Sequence, residues 1–221
     1  MKVLEGNKLI DVSCSEFNEI VQEYRSVIID IGTGDGEFVY KSARQNPDIL
    51  YIGIDPVMDA MIPYSVKASK KASKGGLRNV LFVVARVEEL PDELASTAAR
   101  IVVSLPWGSL RDGIVKGDEA VLKNICRIAR NSTTLDILVC YTDLYEEHEI
   151  ERRNLPGLTY DYLNTIVRQR YETFGIDVVK IALWNNEMLK SLMTRWAKRL
   201  AYGKKREIFY LKCRVSKGAS V

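Results

Sequence analysis

One stretch constrains the fold more than any other: Val27-Ile-Ile-Asp-Ile-Gly-Thr-Gly-Asp-Gly36. An apolar run interrupted only by Asp30, with glycines directly after it, reads as a parallel strand buried on both faces. Such a strand needs cover above and below, which places the chain among layered α/β folds. Gly32, Gly34 and Gly36 allow tight turns at positive φ and let a ligand lie against the main chain. Their spacing excludes the dinucleotide-binding G-x-G-x-x-G fingerprint, because the residue three after Gly34 is Glu37.

The rest of the chain repeats this strand-then-helix pattern. Residues 2–5 and 8–12 flank a Gly6-Asn7 turn and predict a hairpin. Ser13-Cys-Ser-Glu16 is a capping box for a helix running to about Tyr24. Strands are expected at 27–31, 50–54, 80–85, 100–105 and 134–141, with helices at 37–46, 58–72, a short one after Val87, and 118–130. Five such rounds predict a doubly wound sheet with ligand sites at the carboxyl ends of its strands. Beyond it, 143–157 reads as an inserted loop or helical turn, 159–174 as a helix and 176–184 as a sixth strand. Residues 186–201 read as a helix, and 207–215 as a seventh, antiparallel strand. One domain is expected for 221 residues, with hairpin 1–12, insertion 143–174 and linker 185–206 as its additions.

Composition removes several function classes. No apolar run approaches the ~18 residues of a membrane span, and the charged N-terminus does not read as a signal peptide. Cys14, Cys126, Cys140 and Cys213 are scattered, which argues against a zinc site or a disulfide framework and for a reducing, cytoplasmic setting. His148 is the only histidine, so no metal is expected. The net charge is only +3, yet twelve of the 32 basic residues lie in two acid-free segments, 64–78 and 188–206. Local basic density of this kind suits nucleic-acid phosphates.

Asp30-x-Gly-x-Gly-x-Gly36 resembles the first motif of the class I S-adenosylmethionine (SAM) methyltransferases, which implies that Asp30 and the glycine loop hold the methionine part of SAM. Asp55 closes the next strand, where a carboxylate can accept both hydroxyls of a ribose. It also suits a helix cap before Pro56, although beside the glycine loop the ribose role is the stronger reading. After the fourth strand stands Ser104-Leu-Pro-Trp107, and a second tryptophan, Trp196, lies in the basic segment near the C-terminus. Two indole faces could sandwich a flipped-out base, or both could belong to the core, and spacing alone leaves both open.

A narrower resemblance covers nearly the whole chain. Its motifs are the glycine loop, Tyr51-Ile-Gly-Ile-Asp-Pro56, Ser73-Lys-Gly-Gly-Leu77, Leu105-Pro-Trp-Gly108, Tyr145-Glu-Glu147 with Leu155-Pro156, and Trp196-Ala-Lys-Arg-Leu-Ala201. In this order they resemble the aminoglycoside-resistance 16S rRNA adenine-N(1) methyltransferases of the NpmA/KamB type, and the NpmA branch more than the antibiotic-producer enzymes. The resemblance implies a monomeric enzyme that methylates adenine 1408 of 16S rRNA in the assembled 30S subunit. It implies SAM contacts from Asp30, Gly32, Gly34, Asp55, Pro56, Ala85, Glu88, Leu105, Ser109 and Thr194. It implies a target adenine between Trp107 and Trp196, with Pro106 beside it. Lys67, Lys70, Lys71, Lys74, Arg153, Arg199 and Arg206 are implied rRNA contacts. Arg86 departs from the pattern, standing where an apolar residue is expected. The alternative is a tRNA (guanine-N7) methyltransferase or another RNA methyltransferase of the same fold.

Overall fold

The strand that opens the glycine motif runs through the middle of a sheet. The computed structural model describes residues 1–190, 192, 197, 201–202 and 206–216, without the side chains of 143–145. The strands are β1 (Lys2–Glu5), β2 (Lys8–Asp11), β3 (Ser26–Ile31), β4 (Ile49–Asp55), β5 (Val80–Val84), β6 (Ala98–Ser104), β7 (Ala129–Val139), β8 (Ile176–Trp184) and β9 (Ile208–Val215). They form one sheet in the order β2-β1-β5-β4-β3-β6-β7-β9-β8. The pairs β5–β4, β4–β3, β3–β6 and β6–β7 are parallel, whereas β9 pairs antiparallel with both β7 and β8.

The expected sheet had seven strands, and the described one has nine. The hairpin does not stand apart: β1 pairs antiparallel with β5, so β1 and β2 extend the edge. Burial explains the join. Val3 and Leu4 are buried beside β5, whereas all four residues of β2 are exposed.

Period-two burial builds a core on each face. Along β4, Leu50, Ile52 and Ile54 enter one hydrophobic cluster and Tyr51 enters another. The second cluster is closed by α2 (Glu37–Gln45) and α3 (Met58–Ala68), through Val39, Tyr40, Met61 and Tyr64. The first takes Phe17 of α1 (Cys14–Gln22), Ile114 of α4 (Gly108–Lys116) and Ile125 of α5 (Glu119–Ile128). The predicted capping box forms, and α5 has a side-chain cap as well. Ser13 and Glu16 make the reciprocal capping box, and Asp118 accepts from the amides of Ala120 and Val121.

The structure departs from expectation in three places. Residues 108–116 form α4, which two glycines had hidden. Residues 143–157 contain a true helix, α6 (Asp143–Arg153), supported by Glu149–Arg153 and Glu149–Arg152 pairs and kinked at Glu146. The helix expected at 159–174 is α7 (Tyr160–Tyr162), a π-helical turn (Leu163–Val167) and α8 (Arg168–Glu172). Of the helix expected at 186–201, α9 (Asn186–Lys190) is seen, and most of the remainder lies outside the described residues.

Candidate active site

The chain reverses its winding at β3, which pairs with β4 on one side and β6 on the other. Loops leaving adjacent strands diverge there and leave a crevice at their carboxyl ends. A cleft of ≈ 720 Å³ fills it, walled by the glycine loop after β3, the ends of β4 and β5, and the β6–α4 turn.

The glycine loop owes its path to backbone freedom at two positions. Gly32 (φ 76°) lies so close to α4 that a Cβ would stand 2.5 Å from Leu110 Cδ2. Gly34 (φ 60°) has open space where a side chain would be, so its main chain is accessible. The Gly34 amide donates to Asp55 Oδ2 at 2.9 Å, and the Val57 amide donates to Oδ1 at 2.9 Å. Asp55 therefore ties the two loops together. Each of its oxygens keeps a lone pair, enough for the two hydroxyls of a diol. Burial raises its carboxyl above the usual range, and the Val57 and Gly34 amides oppose that.

Asp30 is nearly inaccessible, and its Oδ1 has no hydrogen-bond partner. Burial pushes its carboxyl up to about 7, opposed by the neighbouring Thr33 hydroxyl and helped by the nearby Asp55 charge. A buried carboxylate oxygen with no donor is anomalous in a finished fold and fits a cationic ligand group, such as the ammonium of an amino acid. At the other wall, the Glu88 carbonyl accepts from Asn124 Nδ2 of α5 at 2.8 Å, which fixes that turn. Asp30, Gly34, Asp55 and Glu88 thus make a set suited to SAM.

The β6–α4 turn is tightly made. Leu105 adopts φ 53°, and its amide donates to the Leu138 carbonyl at 2.7 Å. Leu105 and Pro106 are buried, whereas Trp107, which caps α4, is 51% exposed at the edge of the cleft. Ala197 and Ala201, from the second tryptophan motif, pack in one cluster with Leu105. Trp184 is partly buried and packs against Tyr210, the ring centroids 5.3 Å apart and the planes tilted by 42°.

Asp30, Gly32, Gly34, Asp55, Pro56, Ala85, Glu88, Leu105, Ser109, Pro106 and Trp107 all line this one cleft. Trp196, Thr194 and Arg199 lie outside the described residues. Arg86 lines the cleft too, with Nε 3.7 Å from Glu88 Oε2. Lys67 of α3, Lys70 and Lys71 of the link after it and Lys74 of the following 3₁₀ turn are exposed, away from the cleft. Lys67 lies over the Tyr40 ring at 4.8 Å. Arg153 and Arg206 are set differently from those lysines. Arg153 pairs with Asp112 at 2.9 Å and Glu149 at 3.0 Å, and Arg206 pairs with Glu146. Sequence reasoning missed Arg111 and Glu146, the buried pair behind Trp107. Arg111 could have been found from its place on the apolar face of α4, three and four residues before Ile114 and Val115.

Comparison with known proteins is consistent along the chain. Residues 2–215 match the family model described as NpmA: 16S rRNA (adenine(1408)-N(1))-methyltransferase. An Escherichia coli protein of that description is 39% identical over 218 residues, 98% of this chain and all of that protein. One from Streptoalloteichus tenebrarius is 30% identical, over 90% of this chain and 92% of its own length. A solved variant of the Catenulisporales acidiphilia 16S rRNA (adenine(1408)-N(1))-methyltransferase, with cosubstrate SAM, superposes with TM-score 0.90. It is 28% identical and covers 100% of this chain and 99% of its own. By contrast, a tRNA (guanine-N(7)-)-methyltransferase from Clostridioides difficile matches 44% of this chain.

Proposed function

The chain belongs to the NpmA family of 16S rRNA (adenine(1408)-N(1))-methyltransferases, and we propose that it methylates N(1) of adenine 1408 in the 30S subunit, using SAM. The observation that carries this reading is the half-exposed Trp107 at the edge of a cleft that also holds the buried Asp30, whose Oδ1 has no hydrogen-bond partner. An indole face in that position suits a flipped-out base.

SAM, when bound, supplies a methyl group on a sulfonium, an electrophile that needs no further activation. N(1) of an unpaired adenine carries a lone pair and no proton, so no general base is required of the chain. Its residues therefore bind and orient. Asp30 would receive the ammonium, Asp55 the ribose hydroxyls, and Ala85, Glu88 and Leu105 would border the adenosine. Pro56, Gly32 and Gly34 would shape the pocket wall, and Ser109 and Thr194 would bond the methionine end. Trp107 and Trp196 would hold the target adenine between them, with Pro106 beside it. Holding reactants near attack geometry can account for much of such a reaction's acceleration. Lys67, Lys70, Lys71, Lys74 and Arg153 would contact rRNA phosphates, and Arg199 and Arg206 the backbone at the flipped nucleotide.

The reading takes the enzyme as a monomer. Among the described residues no helix is long and apolar enough to cross a membrane, and no cluster of three metal-type ligands occurs. A ribosomal substrate would put the enzyme in the cytoplasm, and the added methyl would block aminoglycosides that stack near that base. Primer extension across the decoding site of 30S subunits, incubated with the protein and SAM, tests the reading. A SAM-dependent stop at adenine 1408 is expected, because N(1) methylation blocks base pairing. Methyl label in 16S rRNA without that stop would move the target.

A further inference from the structure

Arg111 is the largest side chain that the fold buries completely among the described residues, at 1% exposure, yet neither SAM binding nor base contact uses it. A guanidinium withdrawn from water is costly unless charge and hydrogen bonds match it. The match here is specific. Arg111 Nη1 donates to Glu146 Oε2 at 3.1 Å, and Nε lies 3.7 Å from Asp112 Oδ1. Its Cζ stands over two rings, 5.2 Å from the centroid of Trp107 and 5.5 Å from that of Tyr141. Nε and Nη2 have no hydrogen-bond acceptor. The two rings stand beside the guanidinium as a whole, close enough for cation–π attraction.

Glu146 is shared. Its Oε2 takes Arg111, and its Oε1 takes Arg206 from the segment before β9. One buried cation thus joins the β6–α4 turn, Tyr141 in the segment after β7, the kink of α6 and the segment carrying Arg206. Tyr141 is held in turn, donating its hydroxyl to the Pro156 carbonyl at 2.6 Å.

We infer that Arg111 is a positioning residue for the target base: it sets the plane of the Trp107 ring and, through Glu146, keeps that ring in register with Arg206. The inference rests on the reading of Trp107 as the wall on which adenine stacks. A free indole at a rim would sample several rotamers. A guanidinium beneath it, itself pinned by a buried carboxylate, selects one. Arg111 touches no reacting atom, and its effect passes through Trp107.

The test is steady-state methylation of 30S subunits by Arg111→Met, which keeps the stem and removes the charge. We expect kcat to fall on the order of 10²-fold, with the 30S KM and the calorimetric SAM Kd within about twofold of the parent. Trp107→Ala/Arg111→Met should be no slower than Trp107→Ala alone, because both remove one function. A purely structural Arg111 would move SAM affinity and would add its own factor to the double variant. Parental kcat in Arg111→Met, or full additivity in the double variant, overturns the inference and leaves the stacking role of Trp107 standing. Parental kcat in Trp107→Ala overturns both. If Arg111→Met no longer binds SAM, Glu146→Gln, which keeps the partner's shape, decides by the same criteria.

Discussion

At the scale of single residues, Asp30 is the group whose chemistry the fold has altered most consequentially. Burial raises its carboxyl from 3.8 to about 7 in the folded chain. The proton therefore stabilises the ligand-free fold. That contribution is complete below about pH 3.8 and is lost as pH rises through about 7. A ligand ammonium reverses the preference, because it needs the carboxylate. Affinity for SAM should therefore be flat above about pH 7 and weaken about tenfold per pH unit below it. Asp30→Asn should bind SAM weakly at every pH and lose that dependence, while melting at a higher temperature than the parent at pH 8 without ligand. Calorimetry and thermal denaturation read both, and a parent affinity unchanged between pH 8 and pH 6 would contradict the assignment. Asp30 was legible in the sequence because its signal is local, an acid between an apolar run and three glycines. Arg111 was not, because its partner Glu146 is 35 residues away and its own helix was unrecognised.

At the scale of elements, that missed helix shows where local reading fails. Gly108 and Gly113 make 108–116 look like a turn, since glycine inside a helix costs roughly 0.5–1 kcal/mol relative to alanine. Packing reverses the preference. A Cβ at Gly113 would stand 2.5 Å from Val121 Cγ2, so the glycine lets α4 and α5 approach closely. Gly113→Ala should therefore destabilise the protein by about 1–3 kcal/mol despite its better helix propensity, seen as a lower melting temperature. An unchanged melting temperature would mean that α5 gives way freely. The basic ends were easier to read, since a run of lysines with no acid leaves nothing local to neutralise it. Lys70 and Lys71 lie exposed in the link between α3 and the 3₁₀ turn, with no ion pair to a described carboxylate. Replacing both with Gln should weaken 30S binding and reduce the slope of log affinity against log salt by roughly 1 per lysine. SAM affinity should not move. An unaltered slope would remove α3 from the rRNA interface.

At the scale of the whole molecule, the sheet order explains why cofactor residues far apart in sequence meet, and why the expected hairpin, though it forms, was not counted into the sheet. Alternating strands and helices predict a switch point, and β3 between β4 and β6 supplies it. Nothing local says whether a terminal hairpin joins an edge. That depended on Val3 and Leu4 finding burial beside β5. The same order separates the proposed contacts. The lysines of α3 sit on the β5–β1 side of the sheet, whereas Trp107 and Arg153 follow β6 and β7 on the other side of β3. An RNA that meets both must present a rigid surface spanning the switch point, and tertiary RNA of that kind is recognised by shape rather than sequence. Initial methylation rates on assembled 30S subunits should therefore exceed those on protein-free 16S rRNA or on tRNA by at least about 10²-fold, since misplacement alone costs that much. Tritium transfer from labelled SAM to each RNA, at matched salt, measures the ratios. Comparable rates on protein-free 16S rRNA would mean that local sequence suffices and that the α3 lysines add only general attraction. A preference for tRNA would instead favour the guanine-N7 enzymes, whose likeness to this chain is confined to less than half its length.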